Sequence, residues 1–385
     1  MKKPFGYFVH HQGRGHAERC AAIVRALPPD RPVRLFCARD DIFPDLPPNA
    51  TVRVIPSLFE AGGGEATGMD HVPTPDTLHC APLGWPGIRR AMAAIVSWFD
   101  DADPALMICD VSAEIAQLSR ICSVPHVVVL QHGDRDDPGH RAALDGAAGV
   151  LAPFHAMLAQ PEWDESLRAR TCFAGGLGTD VRTAEREVAR CQLGIGPDEE
   201  MILVMAGAGG SGFAQAPLGV GARATPGTRW ITIGRVERDW HATEPSNIEH
   251  RGWVSDAAAH IAAADLVIAS TGNTTTQQIL AAGRPWLAVP EWRYFDEQHR
   301  KAAALAGAGL ATVRPHLPSS AQGWRAALRE TRAMHDRERQ RAAIDEHPAA
   351  KAARWLEALA THLWRLSAVA PTAIPPIPLS EPEPS

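Results

Sequence analysis

Leu266-Val267-Ile268-Ala269-Ser270-Thr271-Gly272-Asn273-Thr274-Thr275-Thr276-Gln277-Gln278 runs from an apolar block through a Gly/Thr turn into a helical pattern. The apolar block reads as a strand over Leu266–Ser270 and the pattern as a helix over Thr275–Ala282, stopped at Gly283-Arg284-Pro285. A further strand follows at Trp286–Val289. Asp296-Glu297-Gln298 then opens a helix over Glu297–Ala308, with Gly309 placed to end it in a left-handed turn. Hydroxyls and free N–H groups converge where the Gly/Thr turn meets its helix, which is the chemistry of an anion site. Glu297 and Gln298 point back to the same edge of the sheet. A carboxylate beside an anion is repelled, so Glu297 belongs there only if it binds hydroxyls.

The same alternation runs through the rest of the chain. Upstream, the turn-rich Gly194–Glu200 leads into a strand at Met201–Met205, a glycine run (Gly207-Ala208-Gly209-Gly210-Ser211-Gly212) and a strand at Trp230–Ile233. In the first half, strands at Phe5–Val9, Val33–Cys37, Val52–Ile55, Leu106–Cys109 and His126–Leu130 alternate with helices at Ala17–Leu27, Ile88–Asp100 and Ala113–Ile121. Repeated βαβ units predict an α/β chain of two Rossmann-like, doubly wound parallel-sheet domains facing a cleft. We expect an N-terminal domain over 1–190, a C-terminal domain over 198–345, and a helix over 348–366 that packs back on the first domain. The proline-rich 367–385 reads as a disordered tail. The Gly- and Pro-rich stretch 60–87, with Trp85, reads as a long functional or mobile connection.

Composition removes several classes. The 385 residues are 45% hydrophobic and 21% charged with a formal net charge of -6, so no general attraction to nucleic acid is expected. No apolar run is long enough to span a bilayer, and the apolar stretch before His10 is too short for a signal peptide. Seven scattered cysteines without a C-x-x-C favour free thiols and a cytoplasmic setting.

Two N-terminal features carry chemistry. Gly13 and Gly15 in His10-His11-Gln12-Gly13-Arg14-Gly15-His16 allow close backbone approach between the first strand and its helix, and His16 is placed as a general base. Its bland alternative is a helix cap. A metal held by His10, His11 and His16 is not expected, because no carboxylate stands at ligand spacing. Asp110 ends the strand Leu106–Cys109 and could orient an imidazole; its bland alternative is the N-cap of the next helix. For the run 207–212 the alternatives are a phosphate cradle and a plain tight turn. Arg235 either reaches a phosphate or is an ordinary surface arginine.

The stretch Gly252–Gly309 resembles, nearly throughout, the donor domain of GT-B nucleotide-sugar glycosyltransferases. It is closest in style to family 28, the group that includes the peptidoglycan N-acetylglucosaminyltransferase, and to the related UDP-glycosyltransferases. The resemblance implies that Gly272 and Thr275 meet a diphosphate, with Gly209, Gly210 and Ser211 as the second glycine turn near it. It implies that Trp253 and Val254 pass the nucleobase and that Glu297 and Gln298 hold donor-sugar hydroxyls. It also matches His16 to the family's proposed base and Asp110 to its partner. Gln278 stands where the family usually has a ribose-gripping Glu.

The implied function is transfer of a hexosyl group from a nucleoside diphosphate sugar, a UDP-sugar foremost, to the hydroxyl of an unknown acceptor. No cofactor and no metal are expected, and peripheral membrane contact is left open. Two alternatives stand beside it. One is a GT-B hydrolase of nucleotide sugars, suggested by Gly13-Arg14-Gly15-His16-Ala17-Glu18-Arg19. The other is a non-catalytic nucleotide-sugar-binding protein, suggested by Gln278.

Overall fold

The computed structural model describes residues 2–182, 184–207, 210, 212–237 and 243–365. Gly209, Ser211 and the proline-rich tail expected over 367–385 lie outside the described residues. In the first half the strands are β1 (Phe5–Phe8), β2 (Val33–Cys37), β3 (Ala50–Val54), β4 (Leu106–Asp110), β5 (His126–Val129), β6 (Gly149–Ala152) and β7 (Thr171–Phe173). They form one parallel sheet in the order β3-β2-β1-β4-β5-β6-β7, with Tyr7 paired to Leu35 and Ile108.

The second half contributes β8 (Met201–Met205), β9 (Phe213–Ala214), β10 (Arg229–Ile233), β11 (Val236–Glu237), β12 (Ile248–His250), β13 (Leu266–Ala269), β14 (Trp286–Ala288) and β15 (Thr312–Val313). Its parallel sheet runs β12-β10-β8-β13-β14-β15, and β9 and β11 pair separately. Counted from its own first strand, the second sheet repeats the order 3-2-1-4-5-6 of the first, the doubly wound arrangement. In each sheet the order reverses beside the first strand, between β1 and β4 and between β8 and β13. The carboxyl ends of these strands are where such sheets bind ligands.

The central strands are buried on both faces and read as continuous apolar runs. One face of the first sheet sets Tyr7, Val9, Leu35 and Ile108 against the helices Arg14–Ala26 and Pro348–Leu363. The other sets Phe8, Phe36 and Met107 against Trp98 and Phe99 of the helix Pro86–Ala102. A third cluster joins the two halves, with Leu130, Phe154 and Leu158 in one core with Ile279, Leu280 and Leu305.

The chain crosses between lobes twice, after β7 and again before the last helix. The two crossings are bonded to each other: Gly175 N–H donates to Asp345 Oδ2 at 2.6 Å and Asp345 N–H to Gly175 O at 2.9 Å. The last helix is fastened to the first sheet by Arg31, whose Nε and Nη2 donate to Glu357 at 2.6 and 2.9 Å. Among the described residues no helix is long and apolar enough to cross a membrane.

Candidate functional site

The first helix begins at Arg14, earlier than its apolar pattern suggests, because Gly13 takes φ +86 and caps it. An L side chain is strained at that φ, so the glycine sets the turn. His16 therefore lies in the first helical turn and is not the cap. Asp110 is not a cap either: Ser112 Oγ accepts Ile115 N–H at 3.2 Å and starts the helix Ala113–Ile121. Between them Val111 has φ 74, a strained value for a β-branched residue, and such strain gathers at functional sites.

The turn leaves Asp110 wholly buried beneath the helix of His16. Asp110 Oδ1 is 3.0 Å from His16 Nδ1. Arg19, one turn beyond His16, donates from Nη2 to Oδ1 and Oδ2 at 2.7 and 2.8 Å and from Nε to Oδ2 at 3.1 Å. Burial pushes the Asp110 carboxyl up, but Arg19 and then His16 outweigh it and hold its pKa down at about 2. Burial lowers the Arg19 pKa, and Asp110 more than restores it. Arg19 Nη2 also lies 2.9 Å from His16 Nδ1. Its protons serve the carboxylate, so we assign the Nδ1 proton to the His16–Asp110 bond, which leaves Nε2 with the free lone pair. His10 lies 5.5 Å from His16, ring to ring, and stacks on His11 at 5.4 Å and on Phe59 at 4.6 Å. Burial, then the neighbouring His16 and His11, lower the His10 pKa to about 4.

At the second reversal point Gly272 caps the helix Asn273–Ala282, so Thr274 and Thr275 lie in its first turn. Ser270 Oγ and Thr276 Oγ1 are buried without a hydrogen-bond partner among the described residues, and a Cβ on Gly207 would sit 3.9 Å from Ser270 Oγ. Unpaired buried hydroxyls between a helix start and a glycine turn suit a polar ligand. Arg235 is exposed at the end of β10, its carbonyl against Gly212. Trp253 is 65% exposed past β12, and Val254 packs on the core. Thus Gly212, Arg235, Trp253, Gly272 and Thr275 share the carboxyl edge of one sheet.

Gln298 is 3% exposed, and its Oε1 accepts Thr271 N–H at 3.2 Å and Glu291 N–H at 2.8 Å. That oxygen is committed to tying the ends of β13 and β14 together, so it is not free for a sugar hydroxyl. Gln278, further along the helix Asn273–Ala282, lines a small cavity with Asp180, Val181, Arg182 and Ile261.

Glu297 remains partly open. Its Oε1 lies 3.4 Å from Nζ of buried Lys301, which also donates to Asn273 Oδ1. Burial raises the Glu297 pKa, but Lys301 and Arg135 bring it below the ordinary value, so the residue is anionic at neutral pH.

Further residues gather at the junction of the lobes. Arg19 could have been found from its i, i+3 spacing to His16. Gly133, at φ +125, lies so close to Phe295 that a Cβ there would sit 2.6 Å from the Phe295 carbonyl. Asp134 N–H donates to that same carbonyl at 2.6 Å. The triplet Asp134-Arg135-Asp136 has an acid-x-acid form, yet Asp134 Oδ1 pairs with Arg300 Nε at 2.6 Å.

His79 Nε2 and His140 Nδ1 approach Asp137 at 2.6 and 2.5 Å, the one His/Asp trio among the described residues with ligand atoms close enough to share a metal. Arg135 Nη1 donates to His140 Nε2 at 2.8 Å. This fixes the other proton on Nδ1, facing Asp137, and sets a cation where a metal site places an acceptor. The trio is arranged for protons.

The paired doubly wound sheets define a GT-B fold, and the solved structures agree. MurG of Acinetobacter baumannii matches over 94% of this chain and 99% of its own, with TM-score 0.55 and 14% identity. CalG4, the calicheamicin glycosyltransferase, matches over 95% and 100%, with TM-score 0.61 and 17% identity. A Siraitia grosvenorii UGT transferase solved with UDP matches over 93% and 100%, with TM-score 0.64 and 12% identity.

In sequence, the chain is similar to family 28 glycosyltransferases over part of its length. It is 34% identical over 152 residues to the UDP-N-acetylglucosamine--N-acetylmuramyl-(pentapeptide) pyrophosphoryl-undecaprenol N-acetylglucosamine transferase of Mesorhizobium japonicum. It is 44% identical over 69 residues to the protein of the same name from Solidesulfovibrio magneticus. These matches span 36% and 17% of this chain, and 40% and 19% of the two relatives. No family profile matches the chain.

Proposed function

We propose that this chain is a cytoplasmic hexosyltransferase that moves a sugar from a nucleoside diphosphate sugar, a UDP-sugar foremost, to an acceptor hydroxyl without a divalent metal. The observation that carries the reading is the opposition of the two reversal points. The helix start that carries His16 over the buried Asp110 meets, across the lobes, the helix start at Gly272–Thr275, where a Cβ on Gly15 would lie 3.8 Å from Thr274 Oγ1.

In the reaction the acceptor oxygen bonds to the anomeric carbon as the bond from that carbon to the diphosphate breaks. His16 Nε2 takes the acceptor proton, and Asp110 stabilises the imidazolium. The bonding electrons leave with the diphosphate. N–H groups at Gly272–Thr275 and the helix dipole meet its growing charge, and Glu297 engages sugar hydroxyls.

The test is turnover of UDP-, dTDP- and GDP-sugars with and without added acceptor alcohols. Transfer product supports the reading. Free sugar at the same rate without acceptor replaces it with hydrolysis, and absence of any stabilisation by millimolar nucleotide sugar defeats the donor site.

A further inference from the structure

Arg135 leaves the loop after β5 and stands where two hollows of the first lobe meet. The inner hollow lies at the carboxyl edge of β4 and β5 and is walled by Val111, Val128, Leu130, Ala143 and Leu144. Val111 is the chain neighbour of Asp110, on which His16 rests. The outer hollow, of about 690 Å³, is bounded by Trp163 and Arg170 and, from the second lobe, by Arg300. Arg135 and Gln131 line both.

The guanidinium is short of an anion. Its Nε donates to His132 O at 3.0 Å, Nη1 to His140 Nε2 at 2.8 Å and Nη2 to Gln131 Oε1 at 2.9 Å. All three acceptors are neutral, since burial first of all lowers the His140 pKa to about 4. The opposing charges act from a distance, Glu297 from the second lobe and Asp137 through the ring of His140. Burial lowers the Arg135 pKa, and those two carboxylates restore only part of it. A guanidinium has five N–H groups, so one is left on each terminal nitrogen, the set that an end-on carboxylate takes. A cation withdrawn from water with its N–H groups spent on neutral partners leaves room for an opposite charge from a ligand.

We propose that Arg135 is a specificity-determining residue for the acceptor: the acceptor is a hydroxy acid whose carboxylate pairs with the terminal nitrogens of Arg135 and whose apolar body fills the inner hollow. The inference rests on the transferase reading above and names the class of acceptor for it. The carboxylate supplies the missing charge without breaking any bond that Arg135 already makes. A neutral alcohol of the same shape gains the apolar contact alone.

The test is calorimetric titration of the full chain with para-hydroxybenzoate, its neutral amide and phenyl phosphate, for the wild type, Arg135→Gln and Arg135→Lys, followed by transfer assays from UDP-sugars to the acid and the amide. Expected is about tenfold tighter binding of the acid than of the amide by the wild type, and equal binding of the two by Arg135→Gln. Arg135→Lys keeps the charge but not the two-pronged pair, so a reduced preference there serves if the glutamine variant folds poorly. An acid bound no tighter than the amide, or a preference that survives intact in both variants, overturns the role of Arg135. Tighter binding of phenyl phosphate than of the acid overturns the carboxylate. If the acid is preferred but no UDP-sugar is turned over, the transferase reading falls and the anion seat stands. If acid and amide are glycosylated with equal kcat/KM, this inference falls and the transferase reading stands.

Discussion

Gly15 and Thr274 meet across the two lobes: a Cβ built on Gly15 would lie 3.8 Å from the Thr274 hydroxyl. Each residue is in the first turn of the helix that follows a reversal point. Two helix N-termini, each carrying partial positive charge, therefore converge on one space. A substrate with an anionic leaving group is what such convergence stabilises, and His16, the proposed base, stands one residue from the contact.

Replacing His16 with Ala removes the proposed base while leaving the Asp110–Arg19 pair intact. We expect turnover to fall about 10²–10⁴-fold with little change in melting temperature, since the imidazole is partly exposed. Steady-state rates alongside thermal melts check this, and unchanged turnover would remove His16 from the mechanism.

Asp110→Asn acts on stability first. It leaves the Arg19 guanidinium buried without its anion, at a cost of about 3–5 kcal/mol, measurable by urea unfolding. In the native protein the Asp110 pKa, near 2, lies below its unfolded value. Its contribution, about 2 kcal/mol, is full above roughly pH 5 and disappears as pH falls through about 4 toward 2. Part of that acid loss should vanish in the variant.

Gln298 and Glu297 are adjacent and should separate cleanly. Gln298→Ala strips an acceptor from the Thr271 and Glu291 N–H groups and should cost about 1–3 kcal/mol, with Gln298→Glu restoring much of the melting temperature. Glu297→Gln should raise the donor KM about tenfold, the value of one charge-assisted contact.

Activity should survive exhaustive EDTA treatment, because helix termini rather than a cation meet the leaving charge in the proposed mechanism. Zinc titration should find no submicromolar site at His79, Asp137 and His140 while Arg135 holds the His140 tautomer. Arg135→Gln should let zinc bind there. Calorimetry distinguishes the two results.

Much of this architecture could be read from the chain. The helix Ala113–Ile121 and the strand Met201–Met205 have the bounds that their apolar blocks imply. The helix Ala257–Ala263 went unread because its run of alanines has no polar face to set a period. The short β6, β7, β12 and β15 were missed because two to four residues carry too little pattern. At the site, residue type announced His16 and Asp110. The commitment of Gln298 to the backbone and the Arg19 clamp depend on contacts between distant segments, which no local pattern encodes.

The reciprocal bonds between Gly175 and Asp345 pin the two inter-lobe connections at one point. Connections fastened together in this way give any relative movement of the lobes one pivot, and the core shared by Leu130, Phe154 and Leu158 with Ile279, Leu280 and Leu305 opposes that movement. The pivot lies close to the candidate chemistry: a Cβ on Gly178, in the first connection, would sit 2.5 Å from Arg19 Cα, one turn from His16, so any swing of the lobes is felt at the clamp on Asp110.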